Sequence, residues 1–116
     1  MGIVRETDTQ EMDIVKEMAE ALGSQGIRVD EILDNIHKVG ARLNELLAKL
    51  QSTADSSESS FLQEIDQTIR KYNTLVDNAH EALRWLLIQR EACGFRKHKD
   101  VHRHYPIPPK VKPLKL

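Results

Sequence analysis

The sequence predicts an all-α protein built on an antiparallel, coiled-coil-like helical hairpin, and three observations carry that prediction. Apolar residues recur at alternating steps of three and four over Val29, Ile32, Ile36, Val39, Leu43, Leu46 and Leu50. A second seam of the same period runs through Leu62, Ile65, Ile69, Tyr72, Val76, Ala79, Leu83 and Leu86. Between them, residues 52–60 are almost entirely Ser, Thr, Asp and Glu, whose short polar side chains compete for local backbone hydrogen bonds and break helices. Two seams joined by a breaker are what a hairpin requires.

The elements follow in chain order. A first helix over residues 8–22 starts at Asp8, with Glu11 three residues later in the reciprocal capping position, and carries a stripe of Met12, Val15, Met18, Ala19 and Leu22. Gly23 and Gly26 bracket Ser24 and Gln25, a composition that ends a helix and lets the chain reverse. The second helix spans residues 29–51. Gly40 lies inside it, and an interior glycine costs roughly 1 kcal/mol against alanine, so it marks either a close approach or a slight bend. Ser60 and Gln63 form a capping box for the third helix, residues 60–93, which Gly94 terminates.

Folding the second helix back on the third leaves residues 84–93 projecting beyond the start of the second. That end is apolar nearly all round, through Trp85, Leu86, Leu87 and Ile88, and needs cover from more than one side. The short first helix is the expected cover, completing a three-helix bundle over residues 1–93, with a second copy of the chain as the other possibility.

Residues 94–116 differ in character. They hold seven Lys or Arg against Asp100, a net charge of +6, whereas the remainder of the 116-residue chain carries −7. Pro106, Pro108, Pro109 and Pro113 exclude regular helix or central strand from about Tyr105 on, so the sequence predicts an extended, basic, proline-containing tail. A basic tail on an acidic helical body implies an anionic contact, on another molecule or on the acidic helices of a neighbouring copy.

Composition narrows the function classes. Aromatic residues make up only 4% of the chain, which suits aliphatic seams and argues against a deep ligand pocket. The single cysteine, Cys93, allows no internal disulfide and falls on the continuation of the second seam, where a thiol packs as a small hydrophobe. No apolar run approaches the roughly twenty residues needed to span a bilayer, and no secretory leader is evident at Met1, so the expected location is cytoplasmic. No catalytic motif, cofactor signature or nucleotide-binding loop is present. Glu64, Asp66 and Asp77 fall on outward helix positions, and His37 and His80 stand just beside the seams.

The reading is therefore of a non-enzymatic protein-interaction or assembly module, such as an adaptor, chaperone-like or regulatory subunit. Its contact surface is expected at the apolar end of the third helix and the adjoining tail, in Trp85, Ile88, Phe95, Arg96, Lys97, Lys99, Arg103 and Tyr105, since Trp and Arg are frequent interface anchors. The alternative is nucleic-acid contact, with the tail cations on phosphates and Phe95 and Tyr105 stacking on bases. A third reading places a metal on His98, His102 and His104: continued helix past Gly94 would set His98 and His102 four residues apart on one face, although no second cysteine and no acid but Asp100 stands nearby.

Overall fold

The computed structural model describes residues 6–52 and 59–114, with side chains from residue 16 onward. The start of the chain, the centre of the serine-rich connection and the capping pair at Asp8 and Glu11 lie outside the described side chains. Helix α1 is Glu6–Ser52, α2 is Ser59–Ala92 and α3 is Lys99–His104; no strand occurs among the described residues. The two long helices pack against each other as the hairpin, in a rod of 84 × 20 × 18 Å.

Both seams are buried where the sequence places them. Val29, Ile36, Leu43 and Leu46 of α1 meet Ile65, Ile69, Val76, Ala79, Leu83 and Leu86 of α2, all fully or nearly fully buried. Leu33 and Ala82 are buried as well, and Ile32, Val39, Leu50, Leu62 and Tyr72 are half-buried. The apolar stripes are thus wider than a two-position seam, as expected of helices covered on a second side. At the closed end, the Arg42 guanidinium bridges Glu64 of α2 at 2.7 Å and Glu45 of its own helix at 3.2 Å. These hydrogen bonds, that of Glu64 first, hold Arg42 above its ordinary pKa. The pair is exposed, and its role is to mark the register between the helices.

The expected first and second helices are one. Instead of turning at Gly23 and Gly26 to complete a three-helix bundle, α1 runs straight through both, and its N-terminal part does not fold back on the hairpin. Each glycine costs roughly 1 kcal/mol against alanine, but neither removes a hydrogen bond as proline would, and each added helical residue contributes one. Local contacts favour the continuous form. Met18, Leu22, Gly26 and Val29 keep the three-and-four spacing in phase across the supposed break. The Gln25 side-chain amide donates to the Ala82 carbonyl of α2 at 3.0 Å. Gly26 is buried because the Tyr105 phenol lies over it: a Cβ there would sit 2.7 Å from the Tyr105 Oη. Gly40 is likewise a close-approach position, with the Tyr72 ring 3.3 Å from where its Cβ would stand.

Continuity of α1 also reverses the expected overhang. At 47 residues against 34, α1 is the longer helix, by about 20 Å at 1.5 Å per residue. It covers the inner face of residues 84–92, and the helix that projects is α1, whose residues 16–20 are all exposed.

Helix α2 ends as the sequence predicts. Gly94 takes φ +95°, its N–H donates to the Glu91 carbonyl at 3.0 Å, and the Phe95 N–H donates to the Arg90 carbonyl at 2.9 Å, the pair of bonds that closes a Schellman motif. The tail beyond it is not extended throughout. After residues 95–98, which have no regular structure, residues 99–104 form α3, which turns Val101 into the core, and from Pro106 the backbone again runs without regular structure.

That last segment returns along the hairpin as a strap. Tyr105 and Ile107 pack on the Val29, Val76 and Leu83 half of the core, and Val111 and Leu114 on the Leu43, Leu46, Ile65 and Ile69 half. The Asn73 side chain pairs with Val111 as a neighbouring strand would, its amide donating to the Val111 carbonyl and its carbonyl accepting from the Val111 N–H, both at 2.8 Å. Lys110 reaches Asp77 at 2.7 Å. Prolines at 106, 108, 109 and 113 suit this path, since each lacks a donor that the helical groove would leave unpaired.

Replacing Gly23, which has open space where its Cβ would stand, tests the uninterrupted helix. Gly23→Ala is expected to raise the unfolding free energy by about 0.5–1 kcal/mol in denaturant titration. A glycine holding a left-handed turn at this position would give a loss instead.

Candidate functional site

The expected contact residues lie along the last turns of α2, the elbow turn after it and α3, and they do not all face outward. Trp85 and Ile88, three residues apart on one face of α2, are 48% and 43% exposed, and Phe95 just past the Schellman turn is 50% exposed. These are three of the five large hydrophobic residues that stand exposed among the described residues. The others are Met18 and Ile27 of α1. Ile27 points away from the core side of α1, and a solitary exposed side chain of this kind is ordinary.

The indole is oriented. Its Nε1 donates to Glu81 Oε1 at 3.0 Å, and the same carboxylate oxygen lies 3.6 Å from Arg84, whose guanidinium carbon sits 6.0 Å from the indole centroid. The polar edge of Trp85 is therefore satisfied within its own helix while much of its apolar body meets water. Burying such a side chain is worth roughly 1.5–3 kcal/mol, so leaving it exposed forgoes stability in the isolated chain.

The turn after α2 and helix α3 carry a set of cations. Arg96, Lys97, Lys99 and Arg103 are exposed and make no ion pair among the described residues. Arg90 is half-buried and organises the turn: its guanidinium carbon lies 4.9 Å from the Phe95 centroid, Nη2 donates to the Lys97 carbonyl at 3.3 Å, and Nε approaches His98 Nδ1 at 3.4 Å.

The tail histidines have separate fates. His98 precedes α3, contacting Arg90 through Nδ1 and Glu91 through Nε2 at 3.1 Å, so both ring nitrogens are engaged in fixing the elbow. His102 is exposed four residues on, and His104 stacks edge-on against Tyr105 at 4.6 Å. Among the described residues no three His, Cys, Asp or Glu side chains converge into a metal-binding group. Cys93 is half-buried in the turn. His37 and His80 are both exposed.

Tyr105 departs from expectation. It is half-buried, packed on the hairpin with its hydroxyl against Gly26, and so it belongs to the fold and not to the exposed surface. Burial, reinforced by the Asp30 carboxylate, holds its phenol above the usual pKa of 10.0. The folded state thus favours the neutral phenol: this contribution is complete below the ordinary tyrosine pKa and is lost as pH rises through the elevated one. Sequence spacing alone could not separate Tyr105 from Phe95. The signal was Gly26, the small residue that makes room for the phenol.

Between strap and hairpin lies an open cleft of about 520 Å³ lined by Ile36, His37, Gly40, Tyr72, Ile107 and Pro108. It holds no convergent set of charged or nucleophilic groups. No helix among the described residues is long and apolar enough to cross a membrane. No family model, curated protein or solved structure matches the chain.

The Asn73 bridge tests whether the strap is docked in solution. Asn73→Ala removes two hydrogen bonds worth about 0.5–1.5 kcal/mol each, and the Val111 amide, slow to exchange in the parent protein, is expected to exchange at least tenfold faster. A Val111 amide that exchanges freely before the substitution contradicts the docked strap.

Proposed function

We propose that this chain is a non-enzymatic protein-interaction or assembly module whose contact surface is the elbow end of α2. The observation that carries the reading is the exposure of Trp85, Ile88 and Phe95 in the part of the chain, residues 85–103, that also holds four exposed cations, Arg96, Lys97, Lys99 and Arg103, with no ion-pair partner among the described residues. Exposed apolar side chains, one of them an oriented indole, at the same end of the hairpin as these cations suit an acidic amphipathic segment of another protein. The paired seams and the strap supply the rigid support, so the surface is presented on a helix and a capped turn.

Nucleic-acid contact through the same cations is the competing reading, and the geometry favours it less. Arg90 already covers a face of Phe95, Tyr105 is packed on the hairpin, and Lys110 is engaged by Asp77, which removes the stacking platform and part of the charge that reading needs.

A photo-crosslinker at Ile88 provides the test. In lysate from the source cells it is expected to give one discrete protein adduct, reduced about tenfold or more by Trp85→Ala, while the thermal midpoint of the exposed-site variant stays unchanged. An adduct insensitive to Trp85→Ala, or a nucleic-acid adduct in its place, contradicts the reading.

A further inference from the structure

The strap is held on the hairpin as a bound peptide is held in a groove. Asn73 donates to the Val111 carbonyl and accepts from the Val111 N–H, both at 2.8 Å, an exchange that any extended backbone offers whatever its side chain. One turn further along α2, Asp77 takes Lys110 at 2.7 Å. Ile107, Val111 and Leu114, at spacings of four and three, anchor the segment on the two halves of the core, and the prolines between them lower the cost of keeping it extended. Main-chain bonds combined with seats for chosen side chains are the means by which grooves recognise extended peptides.

The strap fills this seat incompletely. No residue from 105 to 114 is fully buried, and the cleft of about 520 Å³ lies between residues 106–108 and a floor of Ile36, Gly40 and Tyr72. What keeps the strap in place is largely its tether, which gives it an effective concentration on the order of millimolar. A free segment of equal fit competes only at such concentrations or against a weakened strap. One that also fills the cleft competes at lower ones.

We infer that the groove under the strap is a recognition site for an extended, proline-containing segment of another protein, with a lysine beside an apolar residue, and that the strap is its intramolecular occupant. The strap closes the site until such a segment displaces it. Asn73 reads the backbone, Asp77 selects the lysine, and the exposed half of the core takes the apolar anchors. Neither Trp85 nor the elbow cations take part, so this site and the surface proposed above are tested separately.

Fluorescence anisotropy of a labelled synthetic peptide of residues 105–114, titrated with the full-length chain, decides the matter. Lys110→Glu combined with Val111→Asp releases the strap and leaves every residue of the hairpin groove in place. That chain, with helical content by circular dichroism matching the parent's, is expected to bind the peptide about tenfold or more tightly than the parent does. Lys110→Glu alone, at an exposed site, is expected to give a gain of about threefold in the same direction. Adding Asn73→Ala to the released chain is expected to weaken binding about tenfold, since both main-chain bonds are lost. A released chain that does not bind the peptide at about 1 mM overturns the inference. So does binding equal to the parent's, or binding indifferent to Asn73→Ala.

Discussion

A seam of apolar residues three and four apart can be buried between two helices only while both stay helical and in phase, and that constraint organises this molecule. It holds over Leu22, Gly26, Val29, Leu33 and Ile36 on α1 and over Leu86, Leu83, Ala79 and Val76 on α2. A turn at Gly23 and Gly26 would have broken the phase of the first. It would have given up the Gln25 bond to Ala82 and removed the flat helical surface on which Tyr105 rests. The modest cost of two glycines is set against all of these. Once α1 is straight, the other features follow: the inner side of Trp85's helix is covered, the outer side is not, and the start of α1 projects.

The strap takes the place that a third helix was expected to fill. Two helices leave grooves on either side of their contact line, and a chain of 116 residues has little else with which to close one. An extended segment with few donors, anchored by Ile107, Val111 and Leu114 and pinned by Asn73 and Asp77, covers the groove without needing a helical face of its own. The same arrangement explains the division of the tail. Its cations near the elbow stay in water without an ion-pair partner among the described residues, whereas Lys110 in its C-terminal half is held by Asp77.

Much of the hairpin was legible in the sequence because its signal is local and periodic. Val29, Ile36, Leu43 and Leu46, with Ile65, Ile69, Val76 and Leu83, declare their burial through spacing, and Gly94 declares its left-handed cap through the end of that spacing. What misled was glycine. At Gly23 and Gly26 composition suggests a stop, but the purpose of Gly26 is set by Tyr105, seventy-nine positions away, and no local pattern reports it. The strap was hidden for the same reason. Prolines announce an extended chain without saying whether it lies in water or in a groove, and Asn73 looks like any polar residue until Val111 is beside it. Of the candidate site, the end that holds Trp85 and Ile88 was expected to be covered by the first helix and both stand exposed, and the inward turn of Tyr105 depended on a tertiary contact.

The uninterrupted α1 is tested most directly by one distance. Nitroxide labels at exposed positions 16 and 48, in a Cys93→Ser background, are separated by 32 residues. A continuous helix predicts about 48 Å between the two backbone sites by pulsed electron–electron spin resonance. A population centred near about 20 Å, the separation expected if residues 8–22 folded back against 29–51, would contradict it.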